Sequence, residues 1–184
     1  MVKITTQDVR KGTILLFEGK LFKVTDTAHT HMGRGGATDT FKVKDIISGK
    51  SNTFTYNAGT TLEQAEVSTQ NAVFLYVAGN TYSFMENDSG EIYELEKEAI
   101  EDTVGYLKEN LDVYLQMYQE NVINVILPAT ISYKIVSTVP GVKGDRAQAG
   151  TKPATIETGL EVLVPLYKEE GDEVTVNTLT GVVN

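Results

Sequence analysis

The chain has 184 residues, no cysteine, 41% hydrophobic residues and a formal net charge of −9, a composition typical of a globular protein. Without cysteine it can form neither disulfides nor thiolate nucleophiles nor cysteine-ligated zinc sites. It contains no run of about 18 apolar residues, and its first residues, MVKITTQDVRKG, lack the apolar segment of a signal peptide. We therefore expect a cytoplasmic protein that does not cross a membrane.

Alternation of apolar and polar residues with a period of two runs along the whole chain, interrupted by short turns rich in Gly, Asn and Asp. It predicts hairpins at TILLF-EGK-LFKVTDT, at FKVKDII-SGK-SNTFTY and at VFLYV-AGN-TYSFM. Further strands are predicted at EIYEL, DVYLQMYQE, VINVILP, ISYKIV, LEVLVPLY and EVTVNT. Turn signals about every 8–12 residues are typical of small barrels, so the predicted fold class is all-β.

One segment has helical rather than strand periodicity. In EKEAIEDTVGYL, Ala99, Ile100, Val104 and Leu107 would share one face of a helix. We predict a short helix here.

Composition changes at NAGTTLEQAEV and at ILPAT predict three modules, residues 1–65, 66–127 and 128–184. The first holds nine Lys/Arg against six Asp/Glu, the second two against twelve, and the third five against seven. This asymmetry indicates that the first module approaches a polyanion while the acidic middle stays solvated or faces a basic protein. The alternative is an uneven scatter of surface charge without function.

The stretch AHTHMGRGGATDTFK places one arginine among glycines, in a hairpin tip predicted over residues 29–36. Gly33, Gly35 and Gly36 permit positive φ and offer no side chain against which Arg34 could pack. Arg34 should therefore project, and a guanidinium binds phosphate bidentately and stacks on bases. The alternative is a flexible hairpin whose arginine keeps a sheet edge soluble.

A second motif lies in PGVKGDRAQAGTKPATIETGLEVLVPLY, where the core KPAT-(3)-G-(2)-V-(1)-VP runs from Lys152 to Pro165. Together with the glycine-flanked cation and the three modules, it resembles bacterial elongation factor P over essentially the whole chain. The resemblance implies three small β-barrels, an SH3-like (KOW-like) N-terminal domain followed by two OB-fold domains. It also implies a factor that binds the ribosome between the P and E sites and positions peptidyl-tRNA at consecutive prolines.

The resemblance also implies roles for individual residues. Arg34 would contact the acceptor end of the P-site tRNA, and it would be rhamnosylated by an arginine-modifying glycosyltransferase, as in some members of the family. The tip would be supported by His31, Met32, Gly33, Gly35 and Gly36. The loop Gly144, Asp145 and Arg146 would face the small subunit and the mRNA at the E-site codon.

The sequence departs from the family pattern in five places, the first being Arg34, where many members carry lysine. Met32 stands where a proline often precedes the glycine, Arg146 where many members have threonine, and Lys168 where an aliphatic residue is usual. The chain also ends at TLTGVVN, several residues earlier than is usual in the family.

Other chemistries are poorly supported by the residues. His29 and His31 share a strand face and could chelate a metal, but Asp39 is the one further ligand nearby, so we expect no metal. GDRAQAGTK fails the order of a phosphate-binding loop. A run of acidic residues could serve general acid–base catalysis, but such runs are usually solvated, so we expect no enzyme and no cofactor. The run consists of Glu91, Glu94, Glu96, Glu98, Glu101 and Asp102.

The alternative function is that of a free-standing OB-fold protein for single-stranded RNA, which would need aromatic residues in basic grooves. Here a set of aromatic residues lies in the acidic middle module, where phosphate would be repelled, and indicates core and barrel-surface positions. The set is Tyr76, Tyr82, Phe84, Tyr93, Tyr114 and Tyr118. We expect a monomer.

Overall fold

The computed structural model describes residues 2–32, 36–141 and 150–183, without the side chains of His31 and Met32. Within these ranges fifteen strands form three antiparallel sheets, and the helical segments are three short 3-10 turns with no α-helix. The predicted all-β class is confirmed. No helical segment in these ranges has the length and apolar character needed to cross a membrane.

The first sheet has six strands in the spatial order β1-β6-β2-β3-β4-β5. They are β1 (Val2–Thr5), β2 (Ile14–Phe17), β3 (Lys20–Met32), β4 (Gly36–Asp45), β5 (Ser51–Asn57) and β6 (Thr61–Gln64). The predicted β2–β3 and β4–β5 hairpins are confirmed. Strands β1 and β6 were not predicted; β6 is defined by its pairing with β1 and β2.

The core of this sheet follows from the period of two along its central strands. Val24 lies opposite Val43 across the β3–β4 ladder, and both are at most 1% exposed. Val9, Leu15, Phe22 and Phe41 complete this buried cluster. Each such side chain contributes about 1.5–3 kcal/mol when fully buried, so this cluster fixes which face of the sheet is inside.

The chain divides into two compact units, Met1–Thr69 with Gln116–Asn124 and Gln70–Leu115 with Val125–Asn184. In the first unit a second cluster of Ile14, Leu21 and Ala65 is buried, and partly buried Tyr118 and Ile123 pack against it. The two faces of β2 are therefore both buried, since Leu15 belongs to the first cluster and its neighbour Ile14 to the second.

The second sheet has the order β11-β10-β7-β8-β9 and the third the order β14-β13-β12-β15. Strands of the second are β7 (Ser68–Ala78), β8 (Thr81–Glu86), β9 (Ile92–Glu96), β10 (Asp112–Tyr118) and β11 (Asn121–Ile126). Strands of the third are β12 (Thr130–Thr138), β13 (Thr151–Ile156), β14 (Glu161–Pro165) and β15 (Glu173–Asn177). Strand β13 was not predicted, since Pro153 argues against a strand. Proline at position 153 is tolerated because the pairing of β13 with β12 involves only residues from Ala154 onward.

The predicted helix is wrong in type. Residues 97–107 form two 3-10 turns, Lys97–Ala99 and Val104–Tyr106, joined by turn residues. The Thr103 hydroxyl donates to the Ile100 carbonyl oxygen (2.8 Å), which competes with a helical ladder. Ile100 and Leu107 are nevertheless buried, so the apolar residues anchor the segment without a helix.

Tyr133 on β12 provides a test of the core of the second unit. Its side chain is 1% exposed, and its hydroxyl donates to the Tyr106 carbonyl oxygen (2.5 Å), while burial raises the pKa of the phenol. Tyr133→Phe should lower the free energy of unfolding by about 1–3 kcal/mol, because it leaves that carbonyl without its partner. The control Tyr167→Phe removes a hydroxyl from a side chain that is 76% exposed and should change little. Equal melting temperatures for parent and Tyr133→Phe would contradict the assignment.

Candidate functional site

The β3–β4 hairpin extends beyond the other strands of its sheet. The two strands pair from Phe22 opposite Asp45 to Met32 opposite Gly36, whereas β5 pairs with β4 only as far as Thr38. Directly after β5, the Ala58 N–H still donates to the Ala37 carbonyl (2.8 Å), so in the described part of the chain the hairpin residues paired only with each other are 31–32 and Gly36. Met32 and Gly36 are therefore the outermost paired residues of the hairpin.

The predicted tip is shorter than residues 29–36. Residues 29–32 belong to β3 and Gly36 begins β4, because the cross-strand ladder continues through them. Gly33, Arg34 and Gly35 lie outside the described residues. Gly36 has φ +85, and a side chain there would meet nothing within 4 Å, so glycine serves the backbone conformation and not the space around it.

Two side chains join the strands five residues to either side of Arg34. His29 lies opposite Asp39 in the ladder, and its Nδ1 contacts Asp39 Oδ1. The imidazole is 43% exposed and the carboxylate 6% exposed, so the pair runs from solvent into the sheet. From the sequence we considered His29 and Asp39 only as weak metal ligands and did not predict that they contact each other. Their contact could have been predicted because each lies five residues from Arg34 in the sequence, and residues equally far from the tip of a hairpin face each other across its two strands.

The environment of Asp39 keeps it ionised. The hydrogen bond from His29 lowers the pKa of the Asp39 carboxyl most, the Thr6 hydroxyl lowers it further, and burial opposes both. Its second oxygen, Oδ2, is buried without a partner at hydrogen-bond distance in the described part of the chain. An ionised buried carboxylate depends on its partner, so His29 ties β3 to β4 below the tip.

The predicted loop of the third module also lies outside the described residues, which include neither Gly144 nor Asp145 nor Arg146. One end of that loop is hydrogen-bonded to Leu166, and the other end lies close to the same residue. Leu166 donates its N–H to the Gly150 carbonyl (3.0 Å), and a Cβ on Gly141 would lie 2.4 Å from the Leu166 carbonyl oxygen. Only glycine therefore fits at position 141.

Lys152, the first residue of the KPAT motif, supports the same loop. It is 5% exposed, and its Nζ donates to the Val139 carbonyl (2.8 Å), which precedes the loop. A buried lysine needs such a partner. The sequence identified Lys152 as a motif residue but not its role, because the hydrogen bond depends on the tertiary fold.

The other predicted features are placed as follows. All six residues of the acidic run are exposed, as expected of a solvated surface. Of the aromatic set, Phe84 is buried whereas Tyr76 and Tyr114 are about half exposed, at 49% and 45%. Within the described ranges no three His, Asp or Glu side chains lie close enough to hold a metal ion.

Comparison with known proteins gives matches along the whole chain. Three family models, described as "Elongation factor P (EF-P) KOW-like domain", "Elongation factor P (EF-P) OB domain" and "Elongation factor P, C-terminal", match residues 5–62, 67–125 and 131–182. An elongation factor P from Gloeobacter violaceus is 42% identical over 176 residues, covering 95% of this chain and 94% of the relative. One from Corynebacterium urealyticum is 40% identical over 177 residues, covering 96% and 95%.

The chain belongs to the elongation factor P family. It is a translation elongation factor, as predicted, with a KOW-like (SH3-like) N-terminal domain and OB domains. The fold is also similar to a solved structure, eukaryotic translation initiation factor 5A from Methanococcus jannaschii. That likeness has a TM-score of 0.51 at 17% identity and covers 68% of this chain and 94% of the other.

Because the pKa of the Asp39 carboxyl is lowered, we expect the stability of this elongation factor to depend on pH. The folded pKa of this carboxyl lies below 3.8, so the carboxylate contributes stability above that pH, and the contribution is lost as the pH falls through the folded pKa. Asp39→Asn should therefore reduce the free energy of unfolding at pH 6 by about 1–3 kcal/mol, and this difference should shrink below about pH 4. Chemical denaturation between pH 6 and pH 2 measures it.

Asp26→Asn is the matched control, since Asp26 pairs with Lys42 (3.3 Å) on the same hairpin but is 62% exposed. Its effect should be small at every pH. A difference between parent and Asp39→Asn that stays constant down to pH 2 would show that the carboxylate is not stabilised by its surroundings.

Proposed function

We propose that the protein binds the ribosome between the P and E sites and positions peptidyl-tRNA so that peptide bonds form at consecutive prolines. The ribosome already has a catalytic centre, so a factor can help by orienting a poorly placed substrate, an effect worth several kcal/mol. The observation that carries the proposal is the β3–β4 hairpin, paired to Met32 and Gly36 beyond the reach of β5. A projecting, paired hairpin suits a narrow ribonucleoprotein site.

Arg34 is the residue proposed to contact the acceptor end of the P-site tRNA. A guanidinium can hold a phosphate through two parallel hydrogen bonds or stack on a base. His31, Met32, Gly33, Gly35 and Gly36 would support its approach. The excess of Lys/Arg over Asp/Glu in residues 1–65 favours this end of the chain for RNA.

Two further partners belong to the proposal. Arg34 would be the substrate of an arginine-modifying glycosyltransferase, which would lengthen the side chain by a rhamnose. The loop Gly144–Arg146 would contact the mRNA at the E-site codon, and the residues that flank it, Gly141 and Gly150, both lie close to Leu166. The protein would act as a monomer in the cytoplasm without a chemical step of its own.

The first prediction from this proposal concerns Arg34. Arg34→Ala should change the melting temperature little, because surface substitutions usually alter stability by less than about 0.5 kcal/mol, yet it should abolish relief of stalling. Arg34→Lys keeps the charge without the planar fork and should restore activity only partly. The assay is synthesis of a triproline-containing peptide on reconstituted ribosomes. All proteins are purified from the native host, where the intact mass of the parent should show one added deoxyhexose and that of the two variants should not.

Lys50→Ala, which removes one exposed positive charge from the turn between β4 and β5, is the matched control and should remain active. If Arg34→Ala relieved stalling as well as the parent protein, the proposed contact with the acceptor end would be wrong.

A second prediction concerns the third module. Arg146→Ala should weaken binding to ribosomes with a vacant E site by about 1–3 kcal/mol, because one charge-assisted contact to RNA is lost. Lys134→Ala, an exposed charge on β12, should bind like the parent. Dissociation rates measured on labelled ribosomes compare the two, and an unchanged rate for Arg146→Ala would place Arg146 on a solvated surface.

A further inference from the structure

The N-terminal module contains an apolar groove that the proposed function does not use. It has a volume of about 300 Å³ and lies between the end of β2, strand β6 and the edge strand β5. Its floor is Leu15 of the core, and Leu62 lies beside it. An open groove of this size has room for one or two side chains of another molecule.

Aromatic rings form much of the groove wall. Phe17 is 42% exposed, its ring centroid lies 5.3 Å from that of Phe54, and the Phe54 ring lies 6.3 Å from that of Tyr56. Phe54 and Tyr56 also pack against the core, which holds the rings in place. Phe17 is therefore exposed beside two partly buried rings, which together give an apolar surface on which a partner can pack.

The Tyr56 hydroxyl is a polar group within this apolar wall. Partial burial raises the pKa of its phenol, and it has no hydrogen-bond partner among the described residues. Buried or half-buried tyrosine hydroxyls usually find a partner. The Tyr56 hydroxyl can therefore donate to an acceptor that an incoming molecule supplies.

The charges beside the groove indicate what that molecule carries. Of the six carboxylates in residues 1–65, Glu18 and Glu63 alone make no hydrogen bond or ion pair with a described residue, and both line the groove. The other four are engaged: Asp8 by Thr5, Asp26 by Lys42, Asp39 by His29, and Asp45 by the Ile47 and Ser48 N–H groups. Glu63 lies opposite Lys3 in the β1–β6 ladder, so Glu18 is the carboxylate that most favours a cationic ligand.

We propose that this groove binds an extended, proline-containing basic segment of a partner protein. Polyproline segments have unsatisfied backbone carbonyls, which a tyrosine hydroxyl can satisfy, and their rings pack between aromatic side chains. Arginine or lysine in the segment would pair with Glu18 and Glu63. Aromatic rings also stack on nucleobases, but two carboxylates beside them would repel the phosphates.

The test is fluorescence anisotropy of the full chain with a labelled synthetic peptide in which every third residue is arginine and the others are proline. We expect saturable binding with a micromolar Kd. Replacing arginine by glutamate, or proline by alanine, in the peptide should weaken binding at least about 10-fold. Absence of saturable binding by the arginine–proline peptide, or equal binding of all three, would overturn the proposal.

Protein variants locate the site. Phe17→Ser should weaken binding at least about 10-fold because the ring is lost, and Tyr56→Phe by about 3–10-fold because only the hydroxyl is removed. Ile47→Ser, which removes an apolar side chain that is 88% exposed and outside the groove, should bind like the parent. Glu18→Lys with Glu63→Lys should reverse the preference in favour of the glutamate peptide. Equal affinities for Phe17→Ser and Ile47→Ser would overturn the assignment.

Two competing occupants are separable by the same reagents. Displacement of the peptide by an oligouridylate would assign the groove to RNA, and self-association of the free protein that Phe17→Ser abolishes would assign it to a second copy. Either result would contradict a protein segment as the occupant. Arg34→Ala should bind the peptide normally, so failure of this proposal and failure of the proposed function are distinguishable.

Discussion

Antiparallel pairing of β3 with β4 is the interaction on which the account of this elongation factor depends. Its inner part carries the core residues Val24 and Val43, and its outer part continues past β5 to Met32 and Gly36. A slip of β4 by one residue against β3 would turn Val43 to the opposite face of the sheet and also separate His29 from Asp39. The same register therefore sets the core, the contact between His29 and Asp39 and the pairing of Met32 with Gly36 at the outer end of the hairpin.

Charge divides the chain in a way that suits such a hairpin. The basic residues concentrate in the module that carries it, whereas the middle module exposes its whole acidic run. Phosphate attraction at one end and repulsion in the middle would orient the protein as it approaches RNA. Glu18 and Glu63 line the groove of this module, so the groove carries acidic residues although the module as a whole is basic.

Much of the fold could be predicted because the strands follow local rules. The long alternating runs gave the hairpins β2–β3 and β4–β5, and the KPAT motif with the glycine-flanked Arg34 indicated the family.

The remainder of the fold depends on tertiary pairing. Strand β6 has no pattern of its own, Pro153 concealed β13, and the Thr103 hydroxyl and tight turns replaced the predicted helix with 3-10 turns. Lys152 and the His29–Asp39 pair were identified as residues, but their partners follow from the register and the loop packing. The three module boundaries stay a prediction.

The central claim is that the hairpin carries residue 34 to the acceptor end of the P-site tRNA. A photo-crosslinking amino acid placed at position 34, with position 47 of the same module as the control, tests this directly on ribosomes stalled at consecutive prolines. The account predicts a crosslink from position 34 to the terminal nucleotides of the tRNA and none from position 47. Crosslinks from position 34 that reach only ribosomal protein or ribosomal RNA would contradict it.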